Sequence, residues 1–152
     1  EIFRMFLESE NQPSSITLLV QKEVADRIVA RDGKESILSL SVKAYGTPKQ
    51  EFKVPRGAFK PAPKVDSAVL TVRDISRKNF ASRDEEKLFF ALIRAGFAHK
   101  RKFVRKNLLE AKLPSGNIPE KARAEDLTLS AWLTLSKTGV LAITTRKNLP
   151  SV

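Results

Sequence analysis

The chain reads as an α/β segment followed by a small all-helical domain. Ile16-Thr17-Leu18-Leu19-Val20 is a short, continuous, β-branched run of the kind buried on both faces of a parallel sheet. Beyond residue 73 the apolar residues recur at helical spacing and strand-like runs cease. The charge divides at the same place. Residues 1–72 hold 11 basic and 9 acidic side chains, and residues 73–152 hold 17 basic and 8 acidic. The second part therefore carries a net +9 of the chain's +11, so the two parts are expected to do different jobs.

The elements follow in order. Ile2, Phe3, Phe6 and Leu7 fall on one helical face, with no cap or turn signal before them, so the chain is expected to begin inside an element. Pro13-Ser14-Ser15 is a turn before the first strand. Residues 22–31 read as a helix with Val24 and Ile28 on one face, closed by Asp32-Gly33. Residues 37–45 are open between two readings: Leu38, Leu40 and Val42 alternate like a strand, and the length also suits a helix. Gly46-Thr47-Pro48 ends that segment. Residues 51–54 and 67–72 are strand candidates, expected to be antiparallel neighbours at a sheet edge.

Residues 74–83 are polar and read as a linker. Ser82 with Glu85 predicts a capping box for a helix reaching about residue 98, with Leu88, Phe89, Leu92, Ile93 and Phe97 inward. A second helix is expected over roughly 100–111, carrying Phe103, Val104, Leu108 and Ala111. Pro114-Ser115-Gly116 breaks it. A third starts near Leu129, with Trp132, Leu133 and Leu135 apolar, and takes Gly139 as its C-cap. Residues 140–152 give no clear pattern.

Composition bounds the chemistry. The 152 residues suffice for one domain or two small ones, and 41% hydrophobic with 30% charged residues marks a globular chain. No apolar run is long enough to span a bilayer, so no membrane partner is expected. Cysteine is absent, which excludes disulfides, thiolate metal sites and cysteine nucleophiles and fits a reducing, cytoplasmic or organellar setting. His99 is the single histidine, too few for a metal cluster or a conventional triad, and it reads as a surface or capping residue. The cationic excess calls for a polyanion, nucleic acid before membrane.

Two stretches carry candidate chemistry. In Phe59-Lys60-Pro61-Ala62-Pro63-Lys64-Val65-Asp66-Ser67 the alternate prolines fix φ and push their predecessors toward extended geometry, giving a stiff, extended arm. Such an arm either tucks Phe59 into the core, the commoner outcome, or offers the ring to a flat ligand at small ordering cost. Asp66 and Ser67 suit hydrogen bonds that fix the loop-to-strand turn. The second stretch runs from Arg94 to Lys106. It holds Arg94, Lys100, Arg101, Lys102, Arg105 and Lys106 with no acidic residue between. Most charge runs are solvated helix faces. On a helix Arg101 and Arg105 would share a face and repel, and with the regional excess this favours a phosphate-binding surface.

Four segments resemble the small-subunit ribosomal RNA adenine N6,N6-dimethyltransferases. They are Leu18-Leu19-Val20-Gln21-Lys22-Glu23-Val24-Ala25 with Arg27, the arm Phe59 to Val69 (F-x-P-x-P-K-V-D-S-A-V), Phe97 to Leu108 (FAHKRKFVRKNL), and Arg123-Ala124-Glu125 with Leu127. Together they cover nearly all of residues 1–139 in the family's order. The resemblance implies the C-terminal part of a Rossmann-like class I methyltransferase sheet over residues 1–73, a helical rRNA-binding domain over 74–139 and a tail over 140–152. It implies a helix at 37–45. It also implies S-adenosylmethionine as methyl donor, small-subunit rRNA as partner, and dimethylation of two adjacent adenosines near the 3′ end of that RNA. Phe59 would stack on the target base, and Lys64, Arg94, Lys100, Arg101, Lys102, Arg105 and Lys106 would hold RNA.

The chain departs from the family in lacking its glycine-rich loop, its acidic cofactor residues and its N-L-P-Y motif, which belong to an N-terminal half not in this sequence. The expectation is that this chain alone neither binds S-adenosylmethionine nor transfers methyl groups, and that its open sheet edge favours self-association. His99-Lys100 also replaces a usual glutamine–arginine pair, and Phe103 a usual threonine. Two other readings stand beside this one: a non-catalytic rRNA-binding module, and a large-subunit adenine methyltransferase of the macrolide-resistance type, which shares the F-x-P-x-P arm.

Overall fold

The computed structural model describes residues 2–147, with side chains described as far as Leu141. The chain divides after Lys78 into two compact units. The first contains α1 (Ile2–Leu7), β1 (Ile16–Gln21), α2 (Lys22–Val29), α3 (Ile37–Lys43), β2 (Thr47–Val54) and β3 (Ser67–Arg73). The second contains α4 (Arg83–Gly96), α5 (Val104–Glu110) and α6 (Leu129–Lys147).

In the first unit the strands lie in the order β1-β3-β2. Both pairings are antiparallel, with Leu18 opposite Leu70 and Gln50 also opposite Leu70. The parallel pairing expected of residues 16–20 is therefore corrected among the described residues. A continuous apolar run encodes burial, not strand direction, and the strand that reaches β1 is the one returning from the proline loop. Residues 51–54 and 67–72 do pair as neighbours, though β3 is central and β2 is the edge. One sheet face buries Ile16, Ala68, Leu70 and Val72, and α2 and α3 cover it with Ala25, Ile28, Leu40 and Val42. On the other face Leu19 and Phe52 both lie opposite Val69 and are 52% and 60% exposed, so β1 is not buried on both sides.

Residues 37–43 are helical despite their alternation. Ser36 accepts the Ser39 N–H at 3.1 Å, and Ser39 Oγ in turn accepts the Ser36 N–H at 2.7 Å, a reciprocal cap that settles the ambiguity locally. α2 closes earlier than expected. Ala30 takes the left-handed conformation (φ 53°), and Gly33 (φ 74°) serves the turn after it.

The stretch expected to be a linker is anchored at both ends. Ile75 N–H donates to Ser14 O at 3.1 Å, and Ser76 N–H to Tyr45 O at 2.9 Å. Arg77 donates to the carbonyls of Glu8 and Ser9, each at 2.9 Å. Phe80, in the second unit, packs edge-on against Phe89 at 5.4 Å.

The helical unit follows its apolar pattern. Ser82 caps α4 by accepting the Glu85 N–H at 3.1 Å, but the Glu85 carboxylate reaches past Ser82 to the Ala81 N–H at 3.0 Å. Phe89, Leu92 and Ile93 are fully buried against α6, where Trp132 is also fully buried. Burial of such side chains is worth about 1.5–3 kcal/mol each. Two glycines permit the approach. A β-carbon at Gly96 would stand 2.4 Å from Trp132 Cη2, and one at Gly139 would stand 2.9 Å from Leu88 Cδ2 and from Pro114 Cγ. Gly139 is thus no C-cap: α6 runs through it to Lys147, and the missing side chain serves packing. The tail at 140–152 is accordingly helical as far as residue 147, and residues 148–152 lie outside the described residues.

Gly96→Ala should destabilise the helical unit by about 1–3 kcal/mol, because the added methyl meets a ring locked in place rather than a flexible tip. Urea denaturation followed by Trp132 fluorescence measures it.

Candidate nucleic-acid interface

The six clustered cations do not lie on one helix. α4 ends at Gly96, Phe97 caps it, and residues 98–102 form a tight turn in which Lys102 N–H donates to His99 O at 3.0 Å. Phe103 is extended (φ −68°, ψ 144°), and only at Val104 does α5 begin. Val104 N–H donates to Ala122 O at 2.9 Å, which ties this corner to the loop before α6. The helix expected over 100–111 is therefore a turn followed by a shorter helix, and the Arg101–Arg105 helical spacing is withdrawn. Extended backbone at Phe103 breaks the path that would have joined them.

Asn107 explains why the turn holds this shape. It is 3% exposed, and its side-chain amide donates to Gly96 O at 2.6 Å and to His99 O at 3.3 Å. It fills the carbonyl vacancy at the end of α4 and grips the turn as well. Its Oδ1 has no hydrogen-bond partner among the described residues. Beneath the turn Phe97 stacks on Trp132, centroids 6.1 Å apart at 27°.

Lys100, Arg101, Lys102, Arg105 and Lys106 are all exposed. Lys102 is neutralised locally by Glu110, to which it donates at 2.8 Å, and His99 Nε2 lies 3.7 Å from the same carboxylate. The Lys102 hydrogen bond holds the Glu110 carboxyl below its ordinary range, with His99 and Lys106 adding to the effect. Lys100, Arg101 and Arg105 make no ion pair among the described residues. Three exposed cations close in sequence thus have no ion-pair partner among the described residues, an arrangement an external polyanion relieves. Arg94 is exposed in the last turn of α4, one helix earlier.

In the first unit the arm joins β2 to β3 as a bent loop rather than one extended rod. It turns through a short 3₁₀ segment, Arg56–Ala58, between extended Pro55 and extended Phe59, and bends at 59–61 and again at 64–65. Phe59 is half-buried, while residues 60–65, Lys64 among them, are all exposed. Asp66 closes the loop. Its carboxylate accepts the Arg56 N–H at 2.9 Å and pairs with Lys53 at 2.7 Å, and its carbonyl accepts the Lys22 N–H at 2.9 Å. Lys53 first, then the Arg56 N–H, hold this carboxyl below its ordinary value.

Asn107 and Glu110 were not singled out in the sequence. An asparagine inside a helix is a weak helix former and is the signal that marked Asn107. Glu110 lies outside the acid-free run, and the turn brings it back to Lys102. Among the described residues no group of His, Asp and Glu is arranged to hold a metal, and no helix is long and apolar enough to cross a membrane.

An α/β unit followed by a helical unit is a fold that solved structures share. A dimethyladenosine transferase from Plasmodium falciparum superposes with a TM-score of 0.72 at 21% identity, over 96% of this chain and 62% of that one. The 23S rRNA methyltransferase ErmE superposes with a TM-score of 0.68 at 22% identity, over 91% of this chain and 59% of that one. Sequence sets the family. Residues 2–139 match ribosomal RNA adenine dimethylase, and this chain belongs to that family. Relatives called ribosomal RNA small subunit methyltransferase A include one from Dehalococcoides mccartyi (strain CBDB1), 38% identical over 86% of this chain and 48% of its own length. Another, from Alkaliphilus oremlandii, is 37% identical over 97% of this chain and 54% of its own length. The chain spans about half the length of these curated relatives.

The depressed Asp66 carboxyl sets a pH window. Its bonds to Lys53 and Arg56 hold above the ordinary aspartate range and are lost as pH falls through the lowered folded value. Loop anchoring should therefore persist to more acid pH than an ordinary aspartate allows. Two-dimensional NMR of the Arg56 amide against pH checks this, and Asp66→Asn should flatten the titration.

Proposed function

We propose that this chain supplies the rRNA-binding unit and the target-base arm of an enzyme that dimethylates two adjacent adenosines at N6 near the 3′ end of small-subunit rRNA. The observation that carries the proposal is the exposed, unpaired trio Lys100, Arg101 and Arg105 in a chain of the rRNA adenine dimethylase family. These side chains and Lys106 contact backbone phosphates, which position the RNA without reading its sequence. Lys102 joins them when a phosphate displaces Glu110, and Arg94 and Lys64 lie at the margins. Phe59 forms one wall of the pocket for a flipped adenine, where stacking is worth roughly 1–3 kcal/mol. Asp66 and the prolines keep that ring's loop from collapsing.

Among the described residues we read no glycine cradle for the family's methyl donor, S-adenosylmethionine. The β1-to-α2 turn passes from Gln21 directly into Lys22 without a glycine, so the backbone there offers no close approach to a cofactor. We assign the donor to residues outside this chain, and this chain's role is to bind and orient RNA. A large-subunit target is the second reading, supported by the likeness to ErmE. The small-subunit names of the sequence relatives favour the first.

Two experiments test the proposal. Binding of the chain to small-subunit rRNA should weaken steeply with salt, and reversing Arg101 and Arg105 together to glutamate should flatten the log–log slope by about 2. An unchanged slope would leave the cluster a solvated face. In an enzyme extended to the relatives' full length, Phe59→Ala should cut methylation at least tenfold while rRNA affinity changes less than threefold. Equal losses would make Phe59 a structural ring.

A further inference from the structure

We infer that Asn107 is a positioning residue for RNA recognition: one buried amide locks the cationic turn and α5 into a single phosphate-binding face. The turn bearing Lys100, Arg101 and Lys102 precedes α5, which bears Arg105 and Lys106, and Phe103 between them is extended rather than helical. Backbone bonds close the turn (Lys102 N–H to His99 O) and start α5 (Lys106 N–H to Phe103 O), but none of these runs from α5 back into the turn. Asn107 does so from inside α5. Its Nδ2 donates backward to Gly96 O at 2.6 Å, the end of α4, and to His99 O at 3.3 Å, within the turn. The turn is thereby held from α5, the helix whose cations it must match.

Capping α4 is one role of this amide, and reaching the turn is a second. Asn107 is 3% exposed and its Oδ1 finds no partner among the described residues, a desolvation cost set against the two carbonyls that its amide satisfies. Asparagine is also a poor residue for a helix interior. What the side chain uniquely provides is a donor directed at two carbonyls. Pre-ordering the turn removes the cost of arranging its cations when a polyanion arrives. Glu110 fits the same design from the opposite side, since it holds Lys102 against α5 until phosphate replaces it.

The test, which rests on the rRNA-binding reading above, uses the intact chain and small-subunit rRNA, with affinity measured from 50 to 300 mM salt. Asn107→Leu keeps the branching and the number of side-chain heavy atoms and removes both the donor and the unpaired oxygen. Its affinity at 100 mM salt should fall at least tenfold, and its log–log salt slope should shrink by about 1 or more as fewer phosphates are engaged together. Its cations are all retained. Asn107→Asp should bind as poorly at pH 8 and regain affinity as pH falls toward 5.5, because burial against two carbonyls raises that carboxyl's pKa and the protonated form again donates. That recovery must exceed the wild-type change over the same range, which carries the His99 contribution. In wild-type protein free of RNA, the Lys102 amide should exchange at least tenfold more slowly than in an unstructured peptide.

Wild-type affinity and slope in both variants would overturn the inference, as would unprotected exchange at Lys102 should the variants fail to fold. A melting temperature lowered in Asn107→Leu with rRNA binding intact would reduce Asn107 to a structural residue and overturn it equally. A wild-type chain that binds rRNA without salt dependence would overturn the rRNA-binding reading itself and this inference with it, an outcome distinct from variant-only results.

Discussion

Where α4 ends, the absence of a side chain at Gly96 lets the indole of Trp132 close on the helix terminus, at a distance of 2.4 Å from where a β-carbon would stand. The cation-bearing corner is built on that contact. Phe97 lies over the indole, the chain turns at once, and Asn107 reaches back to the carbonyl of the same glycine. A bulkier residue at 96 would separate α4 from α6 and displace the carbonyl that Asn107 holds. Helix packing and the shape of the turn therefore share a residue, and the cations stand exposed above a base fixed by apolar contact and by the Asn107 amide.

The first unit uses a different device for a similar end. Its loop between β2 and β3 is exposed from residue 60 to residue 65 and has little apolar burial of its own. Asp66 compensates with one carboxylate that serves the Arg56 N–H and the Lys53 ammonium, while its carbonyl takes the N–H of Lys22 at the start of α2. The loop is held at its base and open at its tip. Such a loop leaves Phe59 half-buried.

Much of this was legible in the sequence. The apolar spacing of Phe89, Leu92, Ile93 and Trp132 gave the helical core, because burial and periodicity are the same fact. Ser82 marked the start of α4, and Asp66 was placed at the loop's closure. Other features were hidden for identifiable reasons. Residues 37–43 alternate like a strand, and the cap that makes them helical depends on two serines bonding each other's backbone. Gly139 looks like a C-cap because glycine both ends helices and lets them approach, and only the positions of Leu88 and Pro114 distinguish the two. Asn107 acts on carbonyls 8 and 11 residues earlier, and backbone partners leave no trace in side-chain identity. Arg101 and Arg105 looked like a helical pair because nothing in the letters announces that Phe103 is extended.

The central claim is that the corner formed by residues 97–106 is the surface that meets rRNA. Photo-cross-linking of small-subunit rRNA to the chain, followed by peptide mapping, tests it most directly. The predicted result is cross-links concentrated in residues 97–106, with a second, weaker set in residues 59–64. Cross-links confined to the exposed sheet face at Leu19 and Phe52, or spread evenly over the surface lysines, would contradict it.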